Sequence, residues 1–221
     1  MTADNEAERH SRAFDAELIT DPDELARTEA RNGLRQFDQV VQMIEYFLDP
    51  ERPFKFRPSH LLSLHRTALE GISAYAGNFR PAGIEIKGSK HQPVGAHLVP
   101  EKVEELCDYV NAHWADRTPI HLASYVMWRL NWIHPFTDGN GRTARAASYL
   151  VLCARLGYRL PGTNTIPDQI SKNKRPYYKA LEAADQASLE GKIDLNDLED
   201  YLGALLANQL VGVHKEAQGQ K

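Results

Sequence analysis

Little in this chain favours an extracellular, membrane or general nucleic-acid role. Only two cysteines occur in 221 residues, Cys107 and Cys153, each among apolar neighbours, so buried free thiols are expected rather than a disulfide framework. Nor does their spacing suit a zinc site. No apolar run approaches the roughly 20 residues that span a bilayer. The N-terminal MTADNEAERHSRAFDAE lacks the basic and apolar regions of a secretory signal, which makes the cytoplasm the expected compartment. There is no basic stripe either, so neither nucleic acid nor membrane is an expected partner. Internal repeats and low-complexity tracts are also missing.

What charge there is lies unevenly. The net charge is −4, yet residues 1–30 hold nine acids against Arg9, Arg12 and Arg27, a local balance of −6. Residues 1–22 therefore read as an acidic, flexible arm. Beyond the arm, helical periodicity dominates. Leu34, Phe37, Val41, Ile44 and Leu48 form an apolar stripe that Asp49-Pro50 ends, placing a helix region over 23–50. Leu61, His65, Ala68, Leu69 and Ile72 give a second stripe, and Val103, Leu106, Cys107, Val110 and Trp114 a third. PIHLASYVMWRLNWI, residues 119–133, is apolar on most sides and reads as a central helix. Further helices are expected over 142–156, 170–187 and 193–210.

One segment breaks the pattern. Residues 77–100 hold four of the fourteen glycines and three prolines, and Ile84-Glu85-Ile86 alternates, as in a short strand or hairpin flap. The expected architecture is all-α with this small β insertion. A catalytic core would span 51–187, with a C-terminal helix and tail over 188–221.

Chemistry concentrates between the central helix and the next. Gly139-Asn140-Gly141 opens a helix, so turned backbone amides and helix N-terminal donors make an anion cradle. Arg142 and Arg145 lie on the same first turn, where an anion between them would relieve their repulsion. Asp138 suits Mg²⁺, which usually takes one or two carboxylates plus substrate phosphates. His134 is the residue here able to take a proton near neutral pH. Each residue alone fits a turn or cap. Together, within twelve positions, they describe nucleotide phosphate chemistry.

His134-Pro135-Phe136-Thr137-Asp138-Gly139-Asn140-Gly141-Arg142-Thr143-Ala144-Arg145 resembles the signature of the Fic (filamentation induced by cAMP) family, HPFx(D/E)GNGRxxR, at all nine specified positions. The likeness covers roughly residues 30–185. It implies a helical bundle with a β-hairpin flap and transfer of AMP from ATP to a target protein's hydroxyl, releasing pyrophosphate. By matching position, the active-site loop is 134–145 and His134 is the general base. Phe136 packs the loop, and Asp138 holds Mg²⁺ at the phosphates. Gly139, Asn140 and Gly141 cradle the phosphates; Arg142 binds them, and Arg145 assists or secures the loop. The flap, around Ile84, Glu85, Ile86, Lys87, Gly88 and Ser89, clamps the target by strand addition. The partner implied is a protein with a Ser, Thr or Tyr hydroxyl. An antitoxin or a homo-oligomer also stays open.

Two alternatives stand beside AMP transfer: transfer of another nucleotide, phosphocholine or phosphate through the same loop, and a non-catalytic nucleotide-binding regulator. The phosphorylating Doc branch resembles HxFx(D/N)(A/G)NKR, with Lys-Arg where this chain has Gly141-Arg142. Phosphocholine-transferring relatives tend to alter the loop glycine that is intact here. Many Fic proteins also carry an inhibitory (S/T)xxxE(G/N) helix whose Glu pairs with the second motif arginine. Glu29 sits where its N-terminal version would, although Leu25 replaces the hydroxyl residue and Ala30 the Gly or Asn. It reads equally as a surface carboxylate. Glu190 before Gly191 is a poorer match, with Gln186 at the hydroxyl position. Lys87, Lys90 and His91 in the flap read as solvated residues, with contact to nucleotide or target as the alternative. Tyr177 and Tyr178 suit core packing or an adenine pocket; Trp114, Trp128 and Trp132 suit the core; His113 and His121 lack a third zinc ligand.

Overall fold

The computed structural model describes residues 11–12, 18–86, 89 and 91–218; of Ser11, Arg12 and Glu216 it describes the backbone alone. Most of the expected arm over 1–22 therefore lies outside the described residues. Eight helices occur among those described: α1 (Pro22–Phe47), α2 (Pro58–Leu69), α3 (Val99–Ala112), α4 (Pro119–Ile133), α5 (Asn140–Leu156), α6 (Ile166–Lys172), α7 (Arg175–Leu189) and α8 (Asn196–Ala217). A short 3₁₀ turn, Ala96–Leu98, leads into α3. None of the described helices is long and apolar enough to cross a membrane.

The expected central helix is central. In α4, residues 122–128, Leu130 and Ile133 are buried, and the helix packs against α3, α5, α7 and α8. Thr118 starts it, accepting a hydrogen bond from the His121 amide, with Pro119 fitted to the first turn. Helix α5 lies beside α4 and buries Ala144, Ala147, Leu150 and Val151 against it. Both cysteines are free and buried, and burial pushes their thiols up, to about 12 for Cys107 and about 11 for Cys153. Tyr109, His121 and Glu199 form a hydrogen-bonded chain, 2.9 and 2.8 Å, that ties α3, α4 and α8 together.

Two helical expectations need correction. The buried line of α1 is Thr28, Asn32, Gln36, Val40 and Ile44, while Leu34 is exposed. The polar members of that line do structural work. Asn32 donates to the Ala68 and Glu70 carbonyls and Gln36 to the Leu64 carbonyl, satisfying the C-terminal end of α2. The single helix expected over 170–187 is two. Asn173 is extended, and Pro176 lacks the amide that would have continued the ladder.

The flap contributes one described strand, β2 (Glu85–Ile86). Its partner is β1 (Ser11–Arg12) from the arm, antiparallel, with Ser11 opposite Ile86 and Arg12 opposite Glu85. Lys87, Gly88 and Lys90 lie outside the described residues.

Candidate active site

The loop between α4 and α5 opens into a cavity of about 400 Å³, within the range of small-molecule sites. Its wall includes Glu29 from α1, His134, Asp138 and Gly139 from the loop, and Asn140, Gly141, Arg142 and Arg145 from α5. Tyr177, Tyr178, Leu181 and Asp185 of α7 close the far side, and Ile86, Ser89 and His91 of the flap close the near one. Ile84 and Glu85 do not line it; Lys87 and Gly88 lie outside the described residues.

His134 ends α4 in the left-handed conformation, φ 52° and ψ 60°, the one non-glycine positive φ among the described residues. Bulky residues rarely take that conformation, so surrounding contacts must hold it. Arg80 supplies them. Its buried guanidinium donates from Nε to the His134 carbonyl at 2.7 Å and from Nη1 to Ala82, and Nη2 reaches the carbonyls of Val94 and Ile133. One side chain thus pins the base of the flap to the end of α4. The imidazole itself is oriented by its Nδ1–H, which donates to the Asn131 carbonyl at 3.1 Å. In the neutral ring Nε2 is then the accepting nitrogen. Burial lowers the His134 pKa to about 4; the hydrogen bond to the Asn131 carbonyl opposes this and the Arg80 charge adds to it.

Phe136 is fully buried and stacks on His65 of α2, ring centres 3.7 Å apart and nearly parallel. The His65 Nδ1 accepts from the Gly77 amide at 3.0 Å, which fixes the tautomer, so Nε2–H donates to the Asp138 carbonyl at 3.0 Å. Burial lowers the His65 pKa to about 4, so it stays neutral while holding the loop. Gly139 has φ 72°, and a side chain there would drive a Cβ to 2.4 Å from Leu69 Cδ2. Asn140 spends its amide on the loop, accepting from Phe136 N and donating to Phe136 O, both 2.9 Å. Its side chain thus closes the turn, and Asn140 is also part of the cavity wall.

The two arginines differ. Arg142 bridges two carboxylates, Nη1 to Glu29 Oε1 and Nη2 to Asp138 Oδ2, each 2.9 Å. Arg145 sits deeper, near Tyr177, Tyr178 and Tyr201, where burial lowers its pKa. The inhibitory pattern pairs its Glu with the second arginine; here Glu29 holds the first. Asp138 is half exposed and lines the cavity together with the carboxylates of Glu29 and Asp185, and no group of three or more metal-binding side chains occurs among the described residues. Such a site fits a hard cation held chiefly by phosphate oxygens.

Residues the sequence reading passed over also shape the site. His65 is a member of an apolar stripe and Arg80 a loop residue until the fold brings them to the loop. Asn131 donates to Met127 O and to the Tyr177 hydroxyl, each at 2.7 Å, joining α4 to the far wall.

Residues 55–152 match the sequence model of the Fic/DOC family. The chain is 28% identical over 184 residues to Protein adenylyltransferase fic-1 of Caenorhabditis briggsae, a span that takes in 79% of this chain and 34% of that protein. With Protein adenylyltransferase Fic of Drosophila persimilis it shares 31% over 132 residues, 58% of this chain and 24% of that protein. The chain thus spans about a quarter to a third of the length of these relatives. Among solved structures, a Fic domain containing signaling protein from Bacteroides thetaiotaomicron superposes with a TM-score of 0.68 at 24% identity, covering 87% of this chain and 75% of that one. Fic-1 from C. elegans does so with 0.65 at 23%, covering 86% and 52%. At those identities the likeness is one of fold.

Proposed function

From the premise that this chain carries a Fic/DOC-family domain, we propose that it transfers AMP from Mg-ATP to a hydroxyl side chain of a target protein. The observation that carries the reading is the state of His134. A neutral imidazole, its Nδ1–H committed to Asn131, faces the cavity beside the glycine turn and the arginines of α5. Its Nε2 would take the proton of the attacking hydroxyl, a role typically worth about 10²- to 10⁴-fold. Gly139, Gly141 and the α5 N-terminus would receive the phosphates, with Arg142 and Arg145 neutralising charge. Asp138 would hold Mg²⁺, which when bound neutralises phosphate charge and orients the leaving pyrophosphate. Ile86 and the rest of the flap edge would align the target segment by strand addition. Tyr177, Tyr178 and Leu181 would border the base. Incubation with α- or γ-labelled ATP tests the reading: label kept from the α position alone means AMP transfer, and label kept from γ means phosphorylation.

The Glu29–Arg142 ion pair supports a second element, self-restraint. While Glu29 holds Arg142, that guanidinium is turned to a carboxylate instead of a phosphate. Glu29 then acts as a brake, and relief of the pair admits the triphosphate in productive register.

A further inference from the structure

Asn131, on the last turn of α4, bonds to residues at both ends of the cavity wall. Its backbone carbonyl accepts from His134 Nδ1–H at 3.1 Å. Its side-chain Nδ2 donates to the Met127 carbonyl and to the Tyr177 hydroxyl of α7, each at 2.7 Å. A carbonyl can only accept, so Met127 fixes which end of the amide is nitrogen. Both N–H groups are then spent within the protein, and so is the backbone carbonyl. What Asn131 still offers the cavity it lines is Oδ1, which no donor among the described residues reaches. That oxygen is not sealed away, as the unpaired Oδ1 of Asn32 is. Asp185, on the same wall, is a second acceptor, its Oδ1 taking the Trp128 indole N–H at 2.9 Å. Acceptor oxygens repel those of a phosphate and suit hydroxyl or amine donors.

We propose that Asn131 Oδ1 accepts a hydrogen bond from a ribose hydroxyl and makes the site select ribonucleotides over deoxyribonucleotides. The proposal rests on the transfer reading above and adds a specificity-determining residue to it. In that reading the α-phosphorus lies within reach of His134 and the base lies among Tyr177, Tyr178 and Leu181. Ribose is the part of the nucleotide that joins the two, and Asn131 is bonded to His134 on one side and to Tyr177 on the other. The residue therefore spans the interval that the sugar must span. The target segment enters from the flap, on the opposite side of the cavity, which leaves this acceptor to the nucleotide. Because the amide is held by two hydrogen bonds before any ligand arrives, its oxygen needs no reordering to accept the third. A sugar that lacks the hydroxyl leaves that oxygen without a donor in a site filled by ligand, and discrimination follows from that loss.

The test measures binding to the full chain by calorimetry, with Mg²⁺ and with ATP, 2′-deoxy-ATP and 3′-deoxy-ATP as probes. Wild type, Glu29→Gly and Asn131→Leu are compared, and transfer of α-label to cell lysate is run in parallel. Wild type and Glu29→Gly should bind ATP about five- to tenfold tighter than one of the two analogues, the effect of one neutral hydrogen bond. The analogue that loses affinity identifies the hydroxyl. Asn131→Leu should weaken ATP to the level of that analogue and leave the two indistinguishable. A wall that was merely loosened would weaken all three probes and keep their ratio. Equal binding of the three probes by wild type overturns the proposal, a result that needs no variant to fold. A ratio that survives in Asn131→Leu overturns it too. Either result, beside label passed from the α position, leaves the transfer reading standing. A sugar preference lost in Asn131→Leu, with no label on any protein in wild type or Glu29→Gly, upholds the ribose contact and removes the transfer reading.

Discussion

Glu29 Oε1 lies 2.9 Å from Arg142 Nη1, so a carboxylate from α1 reaches across the fold to an arginine on the first turn of α5. Both side chains are partly exposed, at 42% and 26%, and such pairs are worth no more than about 1 kcal/mol. A contact of that strength restrains the site without locking it. Glu29→Gly should therefore raise the initial rate of AMP incorporation about fivefold at sub-saturating ATP, the factor that corresponds to this energy. Glu29→Gln, neutral but of equal length, should give an intermediate gain. An unchanged rate in Glu29→Gly would remove the brake.

Gly139 is demanded twice, by its φ of 72° and by Leu69 Cδ2 at 2.4 Å from any added Cβ. Gly139→Ala should lower the unfolding free energy by about 2 kcal/mol or more in urea titration. Gly33, with open space around it inside α1, supplies the contrast. Gly33→Ala should gain roughly 0.5–1 kcal/mol.

Arg80 satisfies carbonyls at the end of α4 and in the flap with one buried guanidinium. Arg80→Met strands those acceptors and should cost about 3 kcal/mol, together with loss of AMP transfer. Arg80→Lys should recover only part of both, because an ammonium cannot span the fork. Transfer retained in a well-folded Arg80→Met protein would show that His134 does not depend on it.

These residues mark what the sequence could reveal and what it could not. The loop chemistry was legible because its parts are contiguous: Gly139 turns the chain and α5 begins at once. The helices were legible wherever apolar spacing ran unbroken, as in α4. The buried face of α1 was not, because Asn32 and Gln36 enter the core as caps for α2, and hydrophobic spacing cannot register a polar core residue. His65 and Arg80 act on the loop from 73 and 54 residues away in sequence, a separation that local pattern does not encode. The pairing of Ser11 with Ile86 is equally non-local.

The His134 pKa of about 4 against the ordinary 6.5 has a sign that can be worked out. Between those values the unfolded chain binds the proton and the folded one does not, so stability rises with pH across the window. The contribution is complete above 6.5 and is lost as pH falls toward 4, up to roughly 3 kcal/mol. Unfolding free energies measured across this window should fall more steeply for wild type than for His134→Ala. The His134 ring should titrate near 4 by NMR in the nucleotide-free protein; an inflection near 6.5 would contradict the buried neutral base.

The most direct measurement is label transfer by His134→Ala, with cell lysate as acceptor and α- and γ-labelled Mg-ATP in parallel, alongside nucleotide binding by calorimetry. The account predicts that wild type passes label from the α position alone. The variant should bind ATP with comparable affinity and lose transfer by about 10²-fold or more. Transfer at the wild-type rate by His134→Ala, or label arriving from the γ position, would contradict it.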